Sequence, residues 1–255
     1  MTALRTGLQF QARMLRRSFG DLIALVTAPL MTLVFLAIIR HGGREDLAPY
    51  AVLAPALIVL WGVALMVSGE IVARDRENES LEAIVASPTS FTGVLTGRIA
   101  AVTFVSLVGF AESWLAAFLV FRVAVPVFHP TAFILIVGVT AFAMAGTACV
   151  MSAIFVLARS ARAFQNSLTY PFYVLGGVMV PVALLPDWLE PISRLVFLSW
   201  SSDLLRDALS PAPIADLAPR LLTILILGAA AYLLGVALVR RTVNRLRHTG
   251  SLSYA

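Results

Sequence analysis

Six stretches of mostly apolar residues, near 21 to 39, 50 to 69, 99 to 121, 131 to 157, 164 to 185 and 219 to 239, recur along a chain of 255 residues. About 20 consecutive apolar residues suffice for a helix to cross the hydrocarbon core of a bilayer, and each stretch is of that order. With 60% hydrophobic and only 13% charged residues, the chain lies far from the composition of a soluble domain. It reads as an all-α integral membrane protein with six transmembrane helices, and the spans leave no room for a separate soluble domain.

What the chain lacks narrows its chemistry. All nineteen basic residues are arginine. A Walker A loop needs a lysine on the nucleotide phosphates and Schiff-base chemistry needs one as well, so neither is open to this chain. Cys149 is the single cysteine, which excludes an internal disulfide and a thiolate metal cluster. His41, His129 and His248 fall in three separate loops or tails, without the spacing of metal ligands. The hydrolase motifs Gly-x-Ser-x-Gly and His-Glu-x-x-His are missing too. The expectation is a protein that is not an enzyme and binds no cofactor or metal of its own.

Arginine also sets the orientation. Arg5, Arg13, Arg16 and Arg17 precede the first span, Arg74, Arg76 and Arg98 follow the second, Arg159 and Arg162 follow the fourth, and Arg240, Arg241, Arg245 and Arg247 lie in the tail. The other side holds Arg40, Arg44, Arg122, Arg194, Arg206 and Arg220, an asymmetry of thirteen to six. By the positive-inside rule both termini are cytoplasmic. In residues 1–20, Leu4, Leu8, Ala12, Leu15 and Phe19 recur at helical spacing opposite Arg5, Gln9, Arg13, Arg16 and Arg17, which predicts an amphipathic helix on the cytoplasmic membrane surface. A cleaved signal peptide fits less well, because the apolar run from Leu22 to Ile39 is long for a signal core and meets Arg-His-Gly-Gly instead of a small-residue cleavage site. Residues 21–239 then form the membrane domain and 240–255 a basic cytoplasmic tail.

Between the second and third spans, residues 74–88 gather six charges around an apolar stripe. Leu81, Ile84 and Val85 fall on one side of a helix while Asp75, Asn78, Glu79 and Glu82 cover much of the rest, the pattern of a short amphipathic helix. Ser87-Pro88 ends it, since the residue before a proline is pushed out of the helical region. Such a helix has nothing in its own chain to bind and invites a partner in the water. The fifth span is interrupted by Pro171, Gly176-Gly177 and Pro181. Non-helical backbone at membrane depth must be buried in protein or line a water-filled cavity, so this span belongs at an interface or a pathway. The alternating stretch after it, with Trp188 suited to the membrane interface, predicts an external re-entrant turn or short helix.

Within the spans, Glu112 is the acidic residue placed deepest, and an intramembrane carboxylate is costly unless paired, hydrated or protonated. Trp61, Met66, Phe172, Tyr173 and Met179 join it as candidates for a substrate pathway, because aromatics and methionine adapt to varied apolar shapes. Contact with lipid or a neighbouring helix is the competing reading for each. Gly93-x-x-x-Gly97 permits close helix approach, but the spacing is too frequent to decide anything.

Two segments together resemble the permease subunit of an ABC-2 type exporter, especially the drug-export branch typified by daunorubicin-resistance permeases. Arg76-Glu-Asn-Glu-Ser-Leu-Glu82 followed by Ala86-Ser-Pro88 is similar to that family's charged cytoplasmic motif between its second and third spans. Tyr170-Pro171 through Gly177, Pro181, Leu185-Pro186, Trp188 and Leu205-Arg206 resembles its second hallmark region. The chain departs from the pattern at Glu79, where a glycine is usual, and over Phe197 to Ser202, where a proline and a tyrosine are common.

The resemblance implies a coupling helix, with Arg76, Glu77, Asn78, Glu79, Ser80, Leu81, Glu82, Ile84 and Val85 seated in a groove of a separate ABC ATPase subunit. ATP and Mg would belong to that partner. Two permeases, either two copies or one copy with a paralogue, would form a path through the bacterial cytoplasmic membrane, among lipids and without nucleic acid. The implied cargo is an amphipathic or hydrophobic molecule such as a drug, although exporters of lipid, polysaccharide or glycolipid share the outline. An ion-coupled secondary transporter is a reading of another class; such proteins gather several ionisable groups near the midplane, where only Glu112 stands here. A membrane-embedded enzyme or assembly factor is a third.

Overall fold

The structure is a computed structural model, and it describes residues 2–17, 19–77, 90–157 and 161–249. Every regular element among these residues is helical. They are α1 (Ala3–Arg17), α2 (Phe19–His41), α3 (Ala48–Glu77), α4 (Phe91–Ser106), α5 (Val108–Phe121), α6 (Pro130–Leu157), α7 (Ala161–Leu175), α8 (Glu190–Ser193), α9 (Phe197–Ala208) and α10 (Leu217–Thr249). Single 3-10 turns cover Glu45–Leu47 and Val182–Leu184.

Four stretches of the described residues are long and apolar enough to cross a membrane: Glu45–Leu65, Phe91–Phe121, Pro130–Ile154 and Leu217–Thr242. Leu25–His41 is a shorter apolar helix. The third expected span is longer than its sequence suggested, because α4 and α5 are one apolar stretch interrupted by a turn at Leu107. Just before the turn the Ser106 hydroxyl donates to the carbonyl of Thr103 at 2.7 Å, a local bond that competes with the backbone ladder. The fifth expected span, 164 to 185, is by contrast cut short. Pro171 lies inside α7 without ending it, and the helix stops at Gly176-Gly177, where Gly177 has φ +65°. That left-handed conformation is open to glycine and disfavoured for a residue with a β-carbon.

The centre of the bundle is α3. A helix that is apolar all round has to be enclosed, and Leu53, Leu57, Leu60, Trp61 and Leu65 are all fully buried. Packed around α3 are α2, α4, α5, α6, α7 and α9. The Ser152 hydroxyl on α6 adds a hydrogen bond to the carbonyl of Ser68 on α3 at 2.8 Å. Among membrane helices there is no hydrophobic force to drive association, so small residues that let backbones approach do much of the work. The α6–α10 seam follows this rule: a β-carbon on Gly228 would lie 2.6 Å from Cα of Ala143, and one on Gly235 would lie 2.7 Å from the carbonyl carbon of Cys149.

Against the rest of the bundle α1 buries a stripe of which only Leu15 belongs to the apolar face read from its sequence. Gly7, Gln11 and Leu15, spaced four apart, form the buried stripe, whereas Leu4 and Leu8 stay nearly half exposed at 48% and 42%. The reason is backbone proximity. A β-carbon on Gly7 would collide with the carbonyl of Val94, one on Gly97 with the carbonyl of Leu4, and one on Gly93 would sit 2.8 Å from Cβ of Ala3. The Gly93-x-x-x-Gly97 pattern, uninformative in the sequence, is what brings α1 onto α4.

Candidate functional site

The break after α7 is held by side chains from the following segment. A helix end leaves carbonyls without partners, and inside a membrane each one needs a donor. The Ser193 hydroxyl donates to the carbonyl of Leu175 at 2.5 Å and the Ser202 hydroxyl to that of Gly176 at 2.8 Å. The Arg206 guanidinium donates to the carbonyls of Gly177 and, at 3.4 Å, Val178. It also lies over the Tyr50 ring, 5.4 Å from its centroid. Asp203 orients Arg206 at 3.4 Å and receives Arg194 at 2.8 Å, while Arg220 pairs with Asp207 at 2.6 Å and ties α10 to α9. Four consecutive carbonyls of irregular backbone are thereby satisfied.

Beside this break lies an open cavity of about 680 Å³ lined by Phe35, Tyr50, Met179, Leu184 and Arg206 among others. Of the sequence-derived pathway residues, only Met179 lines it. Trp61 is fully buried on α3 and stacks on Phe172 of α7 with ring centroids 4.6 Å apart, and on Phe197 of α9 at 6.5 Å. Its Nε1 is buried without a hydrogen-bond partner. The Tyr173 hydroxyl donates to the carbonyl of Ile58 at 3.2 Å, which joins α7 to α3 a second time. Enclosed among α3, α7 and α9, Trp61 is out of reach of a diffusing molecule in this arrangement. Glu112 is half-buried on α5, away from this cluster, with Oε2 buried and without a hydrogen-bond partner. Met66 lies on α3; its side chain is outside the described residues.

At the other end of α3 a buried polar junction joins three helices. Asp75 forms an ion pair with Arg98 of α4, and the side chains are 5% and 4% exposed. The Arg98 Nε donates to Gln11 of α1 at 2.9 Å, and its guanidinium lies over the Phe10 ring, 4.9 Å from the centroid. Burial of a charge requires a partner, and here Asp75 provides it, with Gln11 and the Phe10 ring beside the guanidinium.

The sequence had placed Arg98 among loop charges and Asp75 on the polar face of a short helix; both are corrected to a sealed position between helices. Arg74, Asp75, Arg76 and Glu77 continue α3 and do not open a separate helix. Asn78, Glu79, Ser80, Leu81, Glu82, Ile84 and Val85 lie outside the described residues, as do the side chains of Arg76 and Glu77. The chain is described again at Ser90, whose hydroxyl caps α4 by accepting from the N–H of Gly93 at 3.3 Å.

Sequence reasoning assigned no role to Gln11, Ser193 and Ser202, and it misplaced Asp75 and Arg98. Arg98 left one trace, a basic residue at the edge of a long apolar run. Ser202 stands where the chain departs from the consensus it resembles, and that departure hid its capping role.

Residues 6–209 match the family model of the ABC-2 type transporter. No curated protein matches the sequence.

Proposed function

Since the chain belongs to the ABC-2 type transporter family and is thus the membrane permease component of an ABC transporter, we propose that it exports an amphipathic or hydrophobic substrate under the power of a separate ATPase subunit. That subunit holds the ATP and Mg. Two permeases, either two copies of this chain or one copy with a paralogue, enclose the path, and both termini face the cytoplasm. The drug-export branch is the reading favoured by the two hallmark segments.

The observation that carries the proposal is the junction of Asp75 with Arg98 and Gln11. Residues 78–89 connect the end of α3 to the start of α4, and the ion pair clamps those two helices together with α1. A push on the connecting segment by ATP-driven closure of the partner is then delivered to three helices as one body. Because Trp61 on the same α3 stacks on Phe172, displacement of α3 loosens its contact with α7 and opens a route between them. Leu81, Ile84 and Val85 form the contact buried against the ATPase, and Arg76, Glu77 and Glu82 surround it. Burial of such apolar side chains contributes about 1.5 to 3 kcal/mol each, whereas rim ion pairs are worth about 0 to 1 kcal/mol.

The test is co-purification of the ATPase with permease variants, together with substrate-stimulated ATP hydrolysis. Leu81→Asp or Ile84→Asp should release the ATPase or uncouple hydrolysis from export, and Glu77→Gln should be milder. Normal assembly and export in both aspartate variants would remove this segment as the coupling element.

A further inference from the structure

A second cavity, of about 400 Å³, opens where the end of α2, the start of α3 and the end of α5 meet. Its charged lining is Arg40, Glu45 and Arg122. All three residues are exposed, and none of their side chains makes an ion pair or hydrogen bond with another described residue. The neighbouring Arg44 differs, since Asp46 accepts from it twice, at 3.1 and 3.0 Å. Leu36, Phe121 and Val123 give the same cavity apolar walls. Arg122 closes α5 at φ 56°, ψ 27°, a left-handed C-terminal position where glycine is the usual occupant. A glycine there would relieve the backbone and remove one of the two free guanidinium groups.

We propose that this cavity binds the headgroup of an aminophospholipid, with the phosphodiester held by Arg40 and Arg122 and the ammonium by Glu45. The cavity lies at the ends of apolar helices, where the polar headgroups of a bilayer meet its hydrocarbon. Guanidinium forks match phosphate oxygens geometrically as well as electrostatically. Two cations alone would suit any phosphate. A carboxylate on the same lining selects for a ligand that carries its own cation beside the phosphate, and a primary ammonium satisfies it with N–H donors that a choline lacks. The glycerol and first acyl carbons meet Leu36, Phe121 and Val123. The proposal concerns a bound membrane lipid and stands independently of what the protein exports and of its ATPase.

The experiment places the purified full-length protein in nanodiscs of phosphatidylethanolamine, phosphatidylglycerol or phosphatidylcholine with matched chains, followed by native mass spectrometry of the lipid retained after release. Phosphatidylethanolamine should be retained about tenfold better than the other two, a difference of about 1.4 kcal/mol. The Arg40→Gln, Arg122→Gly double variant should lose that retention, and because glycine suits the backbone at 122 the loss does not report misfolding. Glu45→Gln should bring phosphatidylethanolamine down to the level of phosphatidylglycerol. Equal retention of all three lipids by the unaltered protein, or unchanged retention in the double variant, overturns the proposal. So does displacement of the lipid by millimolar inorganic phosphate, which would make this a site for a free anion.

Discussion

Arg98 and Asp75 pair across the interface of α4 and α3, two residues before α3 ends, with side chains only 4% and 5% exposed. An ion pair so enclosed is a constraint on geometry more than a source of stability, since desolvation offsets most of its attraction. It keeps α3, α4 and α1 in one register at the end of α3.

Loss of one partner leaves a buried charge without its complement, so Arg98→Met should destabilise the protein by about 3 to 5 kcal/mol. Asp75→Leu combined with Arg98→Met should recover most of that loss. Thermal unfolding of the two variants in detergent checks the relation, and a double variant as unstable as the single one would show that the pairing does not set the cost.

Two glycines on the described helices should respond oppositely to a side chain. Gly97 lies against the backbone of α1, so Gly97→Val should cost about 1 to 3 kcal/mol through overpacking and backbone displacement. Gly138 on α6 has nothing within 4 Å of where a β-carbon would stand, and Gly138→Ala should stabilise the helix by about 0.5 to 1 kcal/mol. Paired melting curves decide it; a harmless Gly97→Val would mean that α1 does not pack on α4 as described.

At the break after α7, Ser202→Ala removes the donor to the carbonyl of Gly176 and should cost about 1 to 3 kcal/mol. Gly177→Ala forces a β-carbon into a left-handed conformation at a cost of about 1 to 2 kcal/mol. That β-carbon would also lie 2.8 Å from the Ser202 hydroxyl oxygen, so the two changes share a contact. Their combined cost should fall below the sum, as expected for coupled neighbours, and a double-mutant cycle on unfolding measures the difference. Strict additivity would count against the contact.

Glu112 stands apart from the aromatic cluster and lines neither cavity. As a residue at a helix interface and not a proton carrier, it should tolerate Glu112→Gln with export nearly unchanged from about pH 6 to 8, the range in which a carrier would exchange its proton. The check is substrate export by reconstituted protein at each pH. Complete loss of export with normal assembly would favour the ion-coupled reading instead.

The sequence alone determined that this is a helical membrane protein without a Walker A lysine, because apolar run length and the absence of lysine are properties of local chain and composition. It also located the interruption near Gly176-Gly177 and marked the charged segment after the second span, since backbone permissiveness and charge are likewise local. Only the tertiary structure decided which side chains repair that interruption, because Ser193, Ser202 and Arg206 reach carbonyls 18 to 29 residues away along the chain. It decided the roles of Gly7, Gly93 and Gly97 as well, for a glycine's spacing records that backbones are able to approach and not which backbone arrives. Arg98 makes the same point for charge: its sign was legible in the sequence, but its burial depended on Asp75 and Gln11, 23 and 87 residues distant, being brought to it by the packing of three helices.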